Sequence, residues 1–403
     1  MAVDTRPLRS SQAFRRLWFG TGISAIGSQI TTVAIPIQVY AETKSTFLVG
    51  LLGLAALVPL LTVSLVAGAI ADAVDRRRLL LLSDVALALV TVLLIGNAML
   101  DDPNVPALFV LEGLATAAYA FQRPARNALT PKLVRDDELL AAIAVEDVVF
   151  NLSRVAGPAL AGLLIAVFGF AGAYAFDLAT FAASLVSIWL LPRFGPIEGA
   201  DRPSLRSIAE GFRFVRKKPA LLGIFTVDTN AMIFGMPSAL FPAFAEDLGG
   251  GDAIVGLLYA APSAGAFLAS VVSGWMTRVD RQGLGVCVAA AAWGIAIGAV
   301  GLVTTLPLAL FFLACAGAAD FISAVLRSTI MLQATPDAMR GRMSGIELAQ
   351  VAGAPALGNL EAGVVASLVG LRFSIVSGGI ATVVGTVAIA AALPAFRRYR
   401  RPT

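Results

Sequence analysis

A twelve-helix, all-α membrane protein built as two six-helix halves is the fold this sequence predicts, and three observations predict it. Of 403 residues 58% are hydrophobic and 14% charged, with a mean hydropathy of +0.84. Soluble domains carry about 25% charged and about 45–50% apolar residues. Twelve apolar runs follow one another, each long enough to cross a ~30 Å hydrocarbon core at ~1.5 Å per residue. Finally, the second half of the chain repeats short stretches of the first. This composition excludes a water-soluble enzyme, a disordered chain, a collagen and a coiled coil.

The runs lie near 17–41, 47–71, 79–100, 106–129, 139–167 and 169–192. After a polar stretch from Arg193 to Lys218 they resume near 219–245, 253–277, 283–303, 306–333, 343–369 and 371–394. In hydrocarbon a lone span must be helical, because only a helix satisfies its backbone internally. The expected division is a six-helix bundle over 1–192, a central loop over 193–218 and a second six-helix bundle over 219–403, ending in a short basic tail. The first run is too long for a cleavable signal and has no small-residue site followed by a polar region.

Basic residues orient the spans. Of the 30 Lys and Arg, 27 fall on one side: the N-terminus, the 2–3 and 4–5 turns, the central loop, the 8–9 turn, the stretch with Arg327, Arg340 and Arg342, and the C-terminal tail. The other side keeps Lys44 and Arg372, and Arg154 lies inside a span. Both termini and the central loop are therefore expected in the cytoplasm, and the net charge of +4 with pI near 9.3 needs no nucleic-acid partner. Leu205 to Lys218 reads as a basic amphipathic stretch along the inner leaflet. Cys287 and Cys315 both sit in apolar runs and read as small packing residues.

The repeat has an offset close to 205. Val49-Gly50-Leu51-Leu52 recurs as Val255-Gly256-Leu257-Leu258, Asp75-Arg76 as Asp280-Arg281, and Thr130-Pro131 as Thr335-Pro336. Gly157-Pro158-Ala159-Leu160-Ala161-Gly162 is echoed by Ala354-Pro355-Ala356-Leu357-Gly358. Parallel six-helix repeats are a recurring transporter design, with the substrate held between them near the midplane.

Two motifs suggest a family. Gly68, Asp72, Arg76 and Arg77 join helices 2 and 3 in a GxxxDxxxRR pattern. A small residue here lets a neighbouring helix approach, and an acid can cap or ion-pair among the arginines. Gly157, Pro158 and Gly162 on helix 5 form a thinned GPxxGG element. Its proline kinks the helix and its glycines permit close packing. On these motifs the chain resembles the major facilitator superfamily, in its drug:proton antiporter branch of siderophore, macrolide and multidrug exporters. Ala73 and Asp75 depart from the first motif, where the family often has Arg and Gly; Ala161 departs from the second. The resemblance covers nearly the whole chain. It implies a monomer that exports a small organic molecule against proton entry, without a cofactor.

Ionisable groups in spans cost ~2.5–3.5 kcal/mol on insertion scales and so mark function or pairing. The acids in spans are Asp84, Glu112, Glu146, Asp147, Asp177, Asp228, Asp320, Glu347 and Glu361. Asp84 and Glu347 lie near cytoplasmic ends, where arginines reach them as gate ion pairs. Asp147 and Arg154, seven apart, either pair through intermediate polar atoms or turn to other helices. Family members line the central cavity with helices 1, 4, 7 and 10. Here helices 4, 7 and 10 carry Glu112, Asp228 and Asp320, while helix 1 offers Gln29 and Gln38. A carboxyl in a poorly hydrated cavity can change protonation near neutral pH. Asp228 and Asp320, then Glu112, are the expected coupling acids, with Arg154 as their charge partner.

The expected function is proton-coupled efflux of small amphipathic molecules such as drugs, from the inner membrane, by alternating access. A dedicated siderophore exporter is the alternative within the class, and a transporter-like sensor without flux the alternative outside it. No His is present, and no nucleotide loop or nucleophile constellation supports an enzyme or ATP drive. The orientation is testable by accessibility. In a protein freed of Cys287 and Cys315, an Asp101→Cys variant should react with an impermeant maleimide in intact cells, and Pro203→Cys only after permeabilisation. Reaction of both in intact cells would overturn the topology.

Overall fold

A computed structural model describes residues 4–192, 205–336 and 339–401. Among them eleven helical stretches are long and apolar enough to span a bilayer, and the longest divides into two. They are α1 (Gln12–Thr43), α2 (Thr46–Ala73), α3 (Arg76–Ala98) and α4 (Val105–Leu133). The helical stretch Leu139–Trp189 is broken at Gly169, whose φ of 69° is open to glycine and strained for other residues. Its two parts are α5 (139–168) and α6 (170–189). Then come α7 (Pro219–Phe234), α8 (Asp252–Val271), α9 (Gln282–Val300), α10 (Leu306–Ala334), α11 (Arg340–Val369) and α12 (Leu371–Ala392). Leu205–Lys217, in the central basic stretch, is also a helix, and Arg342 on α11 pairs with its Glu210 at 3.1 Å.

The helices wear their apolar faces outward. On α3, Leu82, Val85, Leu89, Val92 and Leu93 form an exposed stripe at helical spacing, with Leu82 64% accessible. The opposite face buries Ser83, Asp84 and Thr91 beside Leu80, Leu87 and Leu94. Such a helix needs a hydrocarbon neighbour. Asp75 caps it, accepting from the Arg78 N–H at 3.1 Å, which gives a role to the residue that departs from the motif.

By internal contacts the chain divides into two compact units. The first comprises Met1–Glu42, Ala55–Pro203 and Gly251–Gly256; the second comprises Thr43–Leu54, Ser204–Gly250 and Leu257–Thr403. In each, glycines let helices meet backbone to backbone. Within the first unit, a Cβ on Gly162 would lie 2.5 Å from the Asp252 carbonyl oxygen and 2.9 Å from Gly256 Cα. Within the second, a Cβ on Gly363 would lie 2.5 Å from the Thr46 carbonyl oxygen and 3.3 Å from Gly50 Cα. Gly157 brings α5 against α1, where a Cβ would strike the Gln29 side chain. The helix 5 motif thus places α5 against two neighbours, and Pro158 lends its carbonyl oxygen to the contact with Gly256.

α7 stops at Phe234, and the chain resumes helical turns at Ser238–Leu240 and Phe241–Asp247. Broken backbone at membrane depth must find partners in neighbouring helices. The Trp293 indole donates to the Gly235 carbonyl at 3.0 Å, and the Tyr259 hydroxyl to Ser238 at 2.8 Å. Asn359 Oδ1 accepts from the Ser238 hydroxyl at 2.7 Å and the Ala239 N–H at 3.0 Å.

Overpacking a helix contact of this kind costs about 1–3 kcal/mol. Gly162→Val should lower the melting temperature of the purified protein, whereas Gly345→Ala, whose Cβ meets nothing within 4 Å, should not. Equal melting of the two variants would remove the close-approach role of Gly162.

Candidate functional site

The second unit holds a charge cluster with a buried and an exposed end. Asp228, on α7, follows the core residue Val227; Arg327, on α10, follows the core residue Leu326. The apolar cluster that packs α7, α9, α10 and α11 therefore fixes where both charged side chains start. Arg327 Nη1 pairs with Asp228 Oδ1, and Nη2 lies 3.6 Å from Asp320 Oδ1. Asp320 and Arg327 are seven residues apart on α10, two turns along one face. Side-chain exposure is 7% for Asp228, 16% for Arg327 and 41% for Asp320. Glu347, on α11, is close enough for its charge to act on Arg327.

Polar clamps hold α7 in register around Asp228. Gln350 of α11 donates through Nε2 to the Phe225 carbonyl at 2.8 Å and to Thr229 Oγ1 at 2.9 Å. Asn230 donates to the Thr382 carbonyl of α12 at 2.9 Å. Two of the predicted acids are thus brought together, by a residue that the sequence reading places among the cytoplasmic bases. That placement is corrected here: Arg327 is buried within α10, seven residues before its end. Its i,i+7 spacing from Asp320 is the signal that could have found it.

Among the described residues, the acids within the spans of the first unit that make hydrogen bonds do so with neutral partners. Asp84, on α3, accepts from Gln122 Nε2 and from the Ser184 hydroxyl at 2.6 Å. A cavity of about 20 Å³, room for one water, adjoins it and is lined also by Ser24, Ser28, Tyr119 and Arg126. Asp177, on α6, accepts from Thr31 at 2.5 Å and from Thr180 at 3.3 Å. Glu146 accepts from Thr130 at 2.8 Å. Glu112, on α4, is half-buried, near Tyr174, and makes no hydrogen bond or ion pair among the described residues. The Tyr174 hydroxyl donates instead to Gln38 Oε1 at 2.8 Å.

Arg154 and Asp147 are both exposed, and neither forms an ion pair among the described residues. The charge partner of Asp228 and Asp320 in this structure is Arg327. In the 2–3 motif Arg76 is fully buried, and Arg77 donates to the Ile188 carbonyl at 3.2 Å. Gly68 and Asp72 fall on the last turns of α2, and their surroundings lie outside the described residues. The two bases set apart from the rest are both paired: Lys44 with Glu246, and Arg372 with Asp247 at 2.6 Å. Cys287 is buried and Cys315 half-buried, both as free thiols.

Comparison with known proteins agrees with this architecture. Residues 4–400 match the MFS_3 family, described as transmembrane secretion effectors. The chain is 31% identical over 401 residues to the enterobactin exporter EntS of Citrobacter koseri, covering 98% of this chain and 95% of that one. It is 30% identical over 399 residues to EntS of Shigella boydii, with the same coverage. A solved bacterial homolog of the human lysosomal transporter Spinster superposes with a TM-score of 0.70 at 16% identity, covering 98% of this chain and 97% of that one. The nucleoside transporter NupG superposes with a TM-score of 0.73 at 13% identity, over 96% and 100%. These two show a shared fold. The chain belongs to the MFS_3 family of the major facilitator superfamily: it is a multi-pass membrane transporter that exports its substrate, and not an enzyme.

Proposed function

We propose that the protein is a proton-coupled antiporter that moves small amphipathic organic molecules outward across the inner membrane. It works as a monomer by alternating access, with both termini and the central loop in the cytoplasm and with the proton gradient, rather than a cofactor, as its energy source. One observation carries this reading. Asp228 and Asp320, on helices that line the transport path in the family, share a guanidinium that is itself mostly shielded from solvent. Intramembrane acids in such settings mark ion and proton pathways. Glu112, half-buried without a partner among the described residues, supports a further protonation point on α4.

A dedicated siderophore exporter is the second reading, and a specific observation favours it: both relatives above, matched over 98% of this chain, are enterobactin exporters. The sequence differs from theirs at about seven positions in ten, which leaves the binding residues free to differ.

Export by purified protein in proteoliposomes should need an imposed proton gradient, proceed without ATP, and stop when a protonophore collapses the gradient. Export that survives the protonophore would sink proton coupling. The substrate readings separate in exporter-deficient cells expressing the protein. Enterobactin release without protection against ethidium or macrolides supports the siderophore reading; protection without enterobactin release supports the drug reading.

A further inference from the structure

The two acids that share Arg327 are unequal. Asp228 meets the guanidinium directly and is 7% exposed; Asp320 stands 3.6 Å away and is 41% exposed. The charge of Glu347, on α11, also acts on Arg327 from farther off. The other helices packed on α10 bring little charge. α9 carries no acidic or basic residue, only Cys287 as a titratable side chain. α8 contributes Asp252 at its first residue and Tyr259, whose hydroxyl is committed to Ser238.

From this inequality we infer that Arg327 is a positioning residue that holds Asp228 as a permanent anion and leaves Asp320 as the carboxyl that exchanges a proton with water. The inference rests on the proton-coupled reading and deepens it. Protonating Asp228 would dismantle a desolvated pair and leave a buried guanidinium with a weaker partner, which is costly. Protonating Asp320 removes a charge from the accessible side, while Arg327 keeps Asp228. When Asp320 then gives its proton up, the guanidinium 3.6 Å away is in place to oppose the new charge. The proton enters and leaves on one oxygen atom, and no other bond changes.

The test compares full-length Asp320→Asn, Asp228→Asn and the double variant Asp228→Asn with Arg327→Gln. pH-difference infrared spectra of the purified proteins read the titrating carboxyl signal without any substrate. Substrate-driven proton movement in proteoliposomes, with ethidium and with enterobactin as probes, reads coupling. The Asp320→Asn spectrum should lack part of the wild-type carboxyl signal, and that variant should lose proton movement while still binding the probe. Asp228→Asn should lower protein yield, because it leaves Arg327 buried without its close partner. The double variant should restore yield and keep the Asp320 signal. An Asp320→Asn spectrum identical to wild type, or loss of the same signal in the double variant, overturns the assignment. Wild-type protein that shows the Asp320 signal yet moves no protons with either probe would overturn the coupling reading and leave the assignment standing.

Discussion

A helix in hydrocarbon cannot be driven onto its neighbour by the release of water, because lipid tails are as apolar as its own side chains. Packing must then come from close approach, and close approach requires small residues. This constraint decides where the chain spends its glycines. Gly162 meets Gly256 and Gly363 meets Gly50 at distances that leave no room for a side chain. Gly162 and Gly256, which belong to two of the short sequence repeats, are the two sides of one such contact. Where the backbone itself breaks, after Phe234, the same solvent forces Trp293, Tyr259 and Asn359 to supply the missing hydrogen-bond partners.

The constraint also sets the terms on which charge is admitted. A lone acid or base at depth costs ~2.5–3.5 kcal/mol on insertion scales, and removing one partner of a buried pair costs about 3–5 kcal/mol. Asp228 and Arg327 are admitted together, each anchored by an adjacent residue of the apolar core, Val227 and Leu326. The pair is thus held by packing as well as by attraction. Stability and chemistry share these residues, which is why the separate roles of Asp228 and Asp320 show only when the charges are removed in matched combinations.

Much of the fold was legible because the signals are local. Span length, the Gly-Phe-Ala break near 169 and the outward apolar stripes all follow from short windows of sequence. The charge cluster was only half legible. Asp228 and Asp320 stand out as acids in apolar runs. Arg327, by contrast, reads as one more cytoplasmic-side base, since it lies near the end of its run and is grouped with Arg340 and Arg342. Its partner on α7, ninety-nine positions earlier in the chain, lies outside any short window. At Asp84, where nearby arginines suggest ion pairing, Ser184 and Gln122 supply the hydrogen bonds, and the charge of Arg126, which lines the adjoining cavity, acts on it.

The repeat duplicates backbone geometry without duplicating chemistry. At the offset of 205, Arg327 corresponds to Gln122. Both side chains reach a buried carboxyl on another helix, Asp228 and Asp84 respectively. An amide donor satisfies a carboxyl's hydrogen bonding but carries no charge to oppose the anion; a guanidinium does both. In the first unit Asp84, Glu146 and Asp177 therefore rest on hydroxyls and an amide, from Thr31, Thr130, Thr180, Ser184 and Gln122. In the second, Asp228 and Asp320 share a cation. The two halves thus pack by one rule, and at one repeated position they differ in carrying an amide or a cation.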